Sequence, residues 1–379
     1  MSIRPLEGTL VVSVEQAVAA PVCTARLCEA GARIIKIERE SGDFARGYDS
    51  VAGGDSSYFI WANLGKESLV LDFKEPEDAA LLHRILAHAD VFVQNLAPGA
   101  LARAGFASET LRQRYPKLVT CDISGYGSNE SVQSMKAYDL LVQAESGLVS
   151  ISGGKNELGR VGVSICDINA GMNAHAGILE ALINRDKTGT GSGIEVSLFG
   201  TAADWMTVPL LHHDYGGKAP GRAGLNHPSI APYGGYDTRD EQVVIVAIQN
   251  EREWQRFCQT VLESPETASD ERFDSNSHRV ANRPQLDEII SGVTLTLSRD
   301  ALINRLISAD VAYGSVNSIA DLSDHPALSR REGISSHGTP VSLPSRAIHH
   351  LDPNQATEDP DRAPRIGEHS ESIRQEFRP

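Results

Sequence analysis

The chain has 379 residues, with 35 Lys and Arg against 50 Asp and Glu and a formal net charge of −15. That balance argues against a nucleic-acid binder and against docking on an anionic membrane, since both need clustered cations. No apolar run of 18 residues occurs, and residues 1–16 lack the basic and apolar regions of a secretory signal, so neither a spanning helix nor export is expected.

In chain order, residues 9–14 read as a buried strand, 20–30 as a helix and 32–38 as a second strand. Residues 68–73 read as a third strand, 77–88 as a helix, 91–95 as a fourth strand and 118–123 as a fifth. Strands separated by helical stretches imply parallel pairing through right-handed crossovers, hence an open, doubly wound α/β sheet. Residues 214–240 are rich in Gly and Pro and read as a linker or a loop close to a ligand. Residues 243–248 then read as a strand, 251–262 as an amphipathic helix and 285–308 as a further helical pattern. Beyond about 320 the chain turns Pro- and His-rich and irregular, with a terminal helix within 367–377. The expected organisation is a large domain of residues 1–200 and 320–379, a linker at 201–225, and a smaller α+β domain with its return linker at 226–319.

Five sparse cysteines (Cys23, Cys28, Cys121, Cys166 and Cys258) fit reduced thiols in a cytoplasm. No CxxC pair is present, so no metal site is expected. The first βα turn, residues 14–21, contains no glycine, which argues against a dinucleotide site even though Glu38 ends the second strand where a ribose-binding acid would sit. Nucleophile-elbow, phosphate-loop and H-E-x-x-H signatures are absent too. The pairs His212-His213 and His349-His350 read as surface or loop residues.

Residues 160–198 are the most informative. Ala170, Gly171, Ala174, Gly177 and Ala181 recur at three- and four-residue spacing, giving one helix a small-residue face that lets another backbone approach closely. The helix stops at Thr188-Gly189-Thr190-Gly191. Asp167 stands at its start and, taken alone, reads as an N-cap.

The run from Val161 through Asp167, Ala170-Gly171, Gly177-Ile178-Leu179, Arg185, Thr188-Gly189 and Val196-Ser197-Leu198 resembles the signature of the family III CoA-transferases. Further segments agree in order: Ala20-Pro21, the stretch 31–38, Gly42-Asp43-Phe44-Ala45-Arg46-Gly47, Asn63-Leu64-Gly65-Lys66, Leu71-Asp72-Phe73-Lys74, Gln94-Asn95-Leu96-Ala97-Pro98-Gly99, Ser124-Gly125-Tyr126-Gly127, Ala137-Tyr138-Asp139-Leu140 and Ile366-Gly367-Glu368-His369. The resemblance implies a Rossmann-like large domain, a smaller α+β domain and an interlocked homodimer. It implies no permanently bound cofactor, coenzyme A entering as part of the substrate, and an acyl-CoA and a small carboxylic acid as the partners.

The resemblance also makes Asp167 the catalytic nucleophile, an ionised carboxylate that attacks the thioester and carries first an anhydride and then an aspartyl-CoA thioester. It lines the CoA pocket with Gln16, Ala17, Arg39, Asp72, Phe73, Lys74, Asn95, Leu96, Arg103, Lys136 and Tyr138. The four cations among these suit the nucleotide phosphates. Two departures stand out. Some family members have a run of consecutive glycines in a lid loop, where this chain has Gly221, Gly224 and Ala231-Pro232-Tyr233-Gly234-Gly235. The family's racemases place a histidine directly before the aspartate, where this chain has Tyr138. Proton exchange needs two tuned bases and transfer needs one carboxylate, which favours a transferase; an acyl-CoA racemase or isomerase and a non-catalytic CoA-binding relative are the alternatives. Similarity to the family branch acting on C4–C5 dicarboxylates suggests a succinyl-CoA-like donor and a dicarboxylic acceptor, whose second carboxylate Arg46, Arg222 or His227 would hold.

Overall fold

A computed structural model describes residues 4–348 and 360–379, so the His349-His350 pair lies outside the described residues. Six strands, β1 (Leu10–Val14), β2 (Arg33–Glu38), β3 (Glu67–Val70), β4 (Val91–Gln94), β5 (Val119–Ser124) and β6 (Gly193–Ser197), form one sheet in the order β3-β2-β1-β4-β5-β6. Every neighbouring pair is parallel. The order reverses between β1 and β4, and the crevice beyond the carboxyl ends of the strands at such a reversal is where open α/β sheets take their ligands.

The helices that follow this sheet in the chain are α1 (Ala19–Glu29), α2 (Ser57–Asn63), α3 (Pro76–Leu86), α4 (Ala100–Arg103), α5 (Ser108–Arg114), α6 (Asp139–Glu145), α7 (Leu148–Ile151), α8 (Ile165–Thr188) and α9 (Leu198–Trp205). α1 and α8 share one core with the alternate side chains Val11, Val91, Val93 and Cys121 of the sheet. α3 and α5 share the opposite core with Val12, Ile35, Leu69 and Phe92. Continuous apolar runs make such strands legible, because a parallel strand is covered on both faces. α8 ends where Gly189 takes φ 76° and its N–H reaches Arg185 O, a left-handed stop that glycine adopts without strain.

The small-residue face of α8 meets α1 as expected. A Cβ built on Gly171 would stand 2.5 Å from the carbonyl oxygen of Ala19, so the two backbones are as close as a hydrogen side chain permits.

The contacts divide the chain into two compact units: Met1–Leu148, Val161–Val208 and Leu328–Pro379 in one, Val149–Arg160 and Pro209–Ala327 in the other. The second unit carries an antiparallel sheet of β7 (Tyr233–Asp237), β8 (Val243–Ala247) and β9 (Ala312–Ser315). With it run α10 (Thr207–Asp214, shared with the first unit), α11 (Glu251–Thr260), α12 (Asn276–Ala281), α13 (Arg283–Thr294), α14 (Arg299–Ser308) and α15 (Ile319–Ser323). Its core is built on Trp254, Phe257, Leu286 and Leu302.

Several elements differ from expectation. The third strand stops at Val70; Leu71 N–H still reaches Glu38 O, and Asp72–Lys74 then turn, with the Asp72 carboxylate accepting the Lys74 N–H. β6 was not singled out, since GIEVS alternates apolar with polar residues at a sheet edge. The 214–240 stretch holds β7, where Tyr236 is buried and pairs across to Val244. The pattern at 285–308 is two helices, the second started by Ser298 accepting from Ala301 N–H. The region past 320 contains β10 (Arg330–Ile334) and β11 (Pro340–Pro344), a hairpin turning at Gly338 with φ 87°, and β12 (Asp361–Arg362) beside β10. The last helix is α16 (Ser370–Glu376).

Candidate active site

A cleft of about 610 Å³ opens at the carboxyl ends of β1, β2 and β3. Of the residues expected around coenzyme A, Gln16, Arg39, Asp72, Phe73, Lys74, Leu96 and Arg103 line it. Arg39, Lys74 and Arg103 are exposed, so their charges face water at the rim. Phe73 packs on Phe106 with ring centroids 5.4 Å apart, giving the cleft an apolar wall. Asn95 and Ala17 contribute differently. The Asn95 side chain turns onto the backbone of Gln16, and Ala17 sits at φ 61° with its N–H on Asp43.

Beneath the cleft lies a charge network that sequence reasoning missed. Lys36 Nζ donates to Asp43 Oδ2 at 2.8 Å and lies 3.5 Å from Glu15 Oε1. Lys66 Nζ donates to Glu15 Oε1 at 2.7 Å, and also to Thr24 Oγ1 and Pro21 O. Arg46 grips both oxygens of Glu38, whose Oε2 also accepts from Ser68. Burial opposes ionisation of Glu15, but Lys66 and Lys36 outweigh it and hold the carboxyl below its usual range. Burial likewise opposes ionisation of Glu38, yet Arg46, Lys36 and Ser68 hold it at about 2. The three acids Glu15, Glu38 and Asp43 thus balance the three bases Lys36, Lys66 and Arg46, which is how charges survive at this depth. Its Lys36–Asp43 and Arg46–Glu38 pairs are seven and eight residues apart, but Glu15 and Lys66 stand 51 residues apart in the chain.

Asp167 is the third residue of α8, with Ser164 before the helix, so it is not the N-cap. Its side chain is half-buried. Burial first, then the carboxylate of Asp139, pushes its pKa up to about 7, which corrects the expectation of a permanently ionised group. The helix N-terminus favours the anion, but desolvation and a like charge win here. Asp139 is buried at the start of α6. Its Oδ1 accepts from Cys166 N–H at 2.8 Å and its Oδ2 from Gln143 Nε2 at 2.7 Å, while Gln143 Oε1 accepts from Val161 N–H. The first turn of α8 is therefore held by Asp139, the same group that makes the neighbouring Asp167 a weaker acid.

Tyr48 lies within electrostatic reach of this carboxyl. Burial raises its phenol, and Asp43, Asp167 and Tyr138 all lie within electrostatic reach of it. It packs against Phe44 at 5.8 Å and edge-on to Tyr58 at 5.4 Å. Sequence reasoning gave Tyr48 and Tyr58 no role of their own. Lys136 and Tyr138 are exposed and precede α6 rather than lining the cleft.

The three residues expected for a substrate carboxylate have other tasks. Arg46 is spent on Glu38 and on Pro364 O, and its guanidinium lies 3.7 Å over the Phe59 ring. Arg222, in the second unit, donates to the carbonyls of Gly154, Ser150 and Lys155 at 3.1–3.5 Å. His227, in the same unit, stacks on Tyr233 and accepts from Ser229 N–H through Nδ1. Among the described residues no cluster of three or more His, Cys, Asp or Glu could hold a metal, all five cysteines are unpaired, and no helix is long and apolar enough to cross a membrane.

The fold combines a doubly wound α/β sheet, a cation-rimmed cleft at the strand ends and a carboxyl group of raised pKa at the start of α8. The CoA-transferase family III profile matches residues 6–370, and the chain belongs to that family. It is similar to acetyl-CoA:oxalate CoA-transferase of Acetobacter aceti, 32% identical over 98% of this chain and 96% of the relative. It is also similar to succinate–glutarate CoA-transferase of Agrobacterium fabrum, 32% identical over 86% of this chain and 84% of the relative. Succinyl-CoA:mesaconate CoA-transferase of Haloarcula hispanica is 30% identical over 88% and 86% respectively. Among solved structures, a CAIB/BAIF family protein from Brucella suis aligns with TM-score 0.84 and 31% identity over 99% of this chain and all of that one.

Proposed function

We propose that the enzyme moves coenzyme A from a succinyl-CoA-like thioester to a small dicarboxylic acid of four to five carbons, with Asp167 as nucleophile. The observation that carries this reading is the Asp167 carboxyl: half-buried in the first turn of α8, with its pKa pushed up to about 7 by burial and by Asp139, which accepts the Cys166 N–H of the same turn. The ionised carboxylate attacks the thioester carbonyl, forming an aspartyl–acyl anhydride and releasing the CoA thiolate. The thiolate attacks the aspartyl carbonyl, giving an aspartyl-CoA thioester and the free donor acid. The acceptor carboxylate then displaces the thiolate, and the thiolate takes the new acyl group from the second anhydride. Covalent catalysis replaces one hard exchange with easier steps.

In this reading Arg39, Lys74 and Arg103 hold the CoA phosphates, Phe73 and Leu96 flank its apolar parts, and Gln16 and Ala17 border the thioester path. Lys136 and Tyr138 belong to the rim near Asp167. The dicarboxylate preference is supported by the named acids of the relatives, oxalate, glutarate and mesaconate, each of which carries two carboxylates. For the second carboxylate Arg46 is disfavoured, because Glu38 already occupies its guanidinium; Arg222 and His227 are the other candidates. The enzyme works as a homodimer in the cytoplasm, the latter supported by five unpaired cysteines.

Intact-mass analysis after mixing with succinyl-CoA tests the mechanism: a covalent adduct appears on the native chain and not on Asp167→Ala. Normal transfer by Asp167→Ala would sink it. A panel pairing succinyl-CoA with mono- and dicarboxylic acids tests the substrate, and faster transfer to formate or butyrate than to any dicarboxylate contradicts the reading. Solvent deuterium at the α-carbon without acid exchange would indicate racemisation instead.

A further inference from the structure

The turn that carries Gln16 into the cleft is held from outside itself. Asn95 Oδ1 accepts the Gln16 N–H at 2.9 Å, and Asn95 Nδ2 donates to the Gln16 carbonyl at 2.8 Å. One side-chain amide therefore takes both backbone polar groups of a single residue. Asp43 Oδ1 accepts the N–H of the next residue, Ala17, at 3.1 Å. Asp43 is itself fixed, through Oδ2 to Lys36 and through its own N–H to Glu38. Between these two anchors Ala17 is forced to φ 61°, a conformation that L-residues with a Cβ resist and that persists only when its surroundings impose it. Asn95 directly follows β4, the strand across the reversal of strand order, and its N–H reaches Val14 O, so it splints the ends of β1 and β4.

We propose that Asn95 and Asp43 are positioning residues for the Gln16 side chain. Their task is to lock the Gln16–Ala17 turn so that the Gln16 carboxamide is held toward the bound thioester, and Asn95 acts through Gln16 rather than on coenzyme A. A side-chain amide already joined to a backbone N–H and a backbone carbonyl has little left to offer a ligand. Gln16 lines the cleft with its backbone already satisfied by Asn95, which leaves its side chain as the group presented to substrate. The proposal rests on the reading of the cleft as the acyl-CoA site.

The test is a double-mutant cycle on the full-length enzyme, reading kcat/KM for succinyl-CoA with glutarate as acceptor, together with the melting temperature of each variant. Gln16→Ala and Asn95→Ala each lower kcat/KM about tenfold, roughly the value of one well-placed hydrogen bond. In the Gln16→Ala background, Asn95→Ala then costs little more, because the group it positions is gone. Asn95→Asp provides the second variant. It keeps the shape and the acceptor for the Gln16 N–H but sets a carboxylate oxygen against the Gln16 carbonyl, and it lowers kcat/KM in the native background while leaving Gln16→Ala nearly unchanged. A general loss of structure would instead lower the rate equally in both backgrounds. Impaired Gln16→Ala with independent, multiplicative effects of both Asn95 variants overturns this proposal alone. So do folded Asn95 variants with native kcat/KM. Native kinetics in Gln16→Ala would remove that side chain from the site and overturn the cleft assignment along with it.

Discussion

A nucleophilic carboxyl with a pKa pushed to about 7 is protonated in most molecules below neutrality. The proposed reaction needs the anion, so kcat/KM for succinyl-CoA should rise about tenfold per pH unit on the acid side and level off above about pH 7. Burial is the larger cause and Asp139 the second. Asp139→Asn keeps an acceptor for the Cys166 N–H while removing the charge, and should move the midpoint down toward, but not to, 3.8. An unmoved midpoint would show that Asp139 does not tune Asp167. The same shift has a sign for stability. The folded state holds this proton from about pH 4 to 7 and the unfolded chain does not, so the contribution is present at low pH and lost as pH rises through about 7. Asp167→Asn should therefore raise the melting temperature more at pH 8 than at pH 5, a stability gained at the expense of activity.

The buried charges under the cleft make a second prediction at this scale. Lys66→Met leaves Glu15 with its nearer cation gone and Lys36 at 3.5 Å. Breaking one partner from such a cluster costs about 3–5 kcal/mol, measurable by urea unfolding; a loss under 1 kcal/mol would mean that solvent reaches Glu15. What the sequence disclosed of single residues follows from the same physics. Arg39, Lys74, Arg103 and Lys136 were named only through the family resemblance; the first three line the cleft and Lys136 does not. Lys36 and Lys66 also carry cations, but Lys66 meets Glu15 51 positions away, and Lys36, although it pairs with the nearby Asp43, sits within a strand where nothing in its own charge marked it as interior.

Among elements, α8 sets the geometry of the site because Asp167 and Gly171 are one turn apart on it. Gly171→Ala would place a methyl group 2.5 Å from the Ala19 carbonyl, a backbone atom that cannot swing away. The helix must shift, at a cost of about 1–3 kcal/mol for such overpacking, and Asp167 shifts with it. A drop in melting temperature accompanied by a fall in kcat at saturating succinyl-CoA is the expected pair; a drop in stability with native kcat would uncouple the helix contact from the carboxyl. This contact was readable from the spacing of small residues alone. β1, β2, β4 and β5 were readable from continuous apolar runs. β6 and the β10–β11 hairpin were not, because edge and hairpin strands carry polar residues on their open sides, and GIEVS or PVSLP has too few apolar positions to mark a period. The early end of β3 was hidden for another reason: Leu71 belongs to the core under the sheet and Phe73 packs against it, while both also line the cleft, so the apolar run outlasts the strand.

For the whole molecule, the homodimer is the open prediction. Trp205, Val208, Leu210, Leu211 and Tyr215 are exposed apolar residues within a short stretch of α9, α10 and the turn beyond, an unusual density for a surface left in water. Multi-angle light scattering at micromolar concentration should give about twice the 40.8 kDa of one chain, and a stable monomer would count against it.

The far edge of the large sheet has a consequence for how the protein is made. β3 is an edge strand, and an open edge invites other strands. Here Ser68 N–H is taken by His369 Nδ1 and Val70 N–H by Ser370 Oγ, while Ile373 and Phe377 cover the adjoining core. Ser68 and His369 lie 301 positions apart. At roughly 5–20 residues per second, a ribosome takes on the order of 15–60 s to travel that distance. Throughout that interval a nascent chain presents a finished strand with nothing to seal it. Expression of this enzyme should therefore depend on holding chaperones during synthesis, and a chain cut before Ile366 should accumulate in the insoluble fraction even though every strand of its parallel sheet is present.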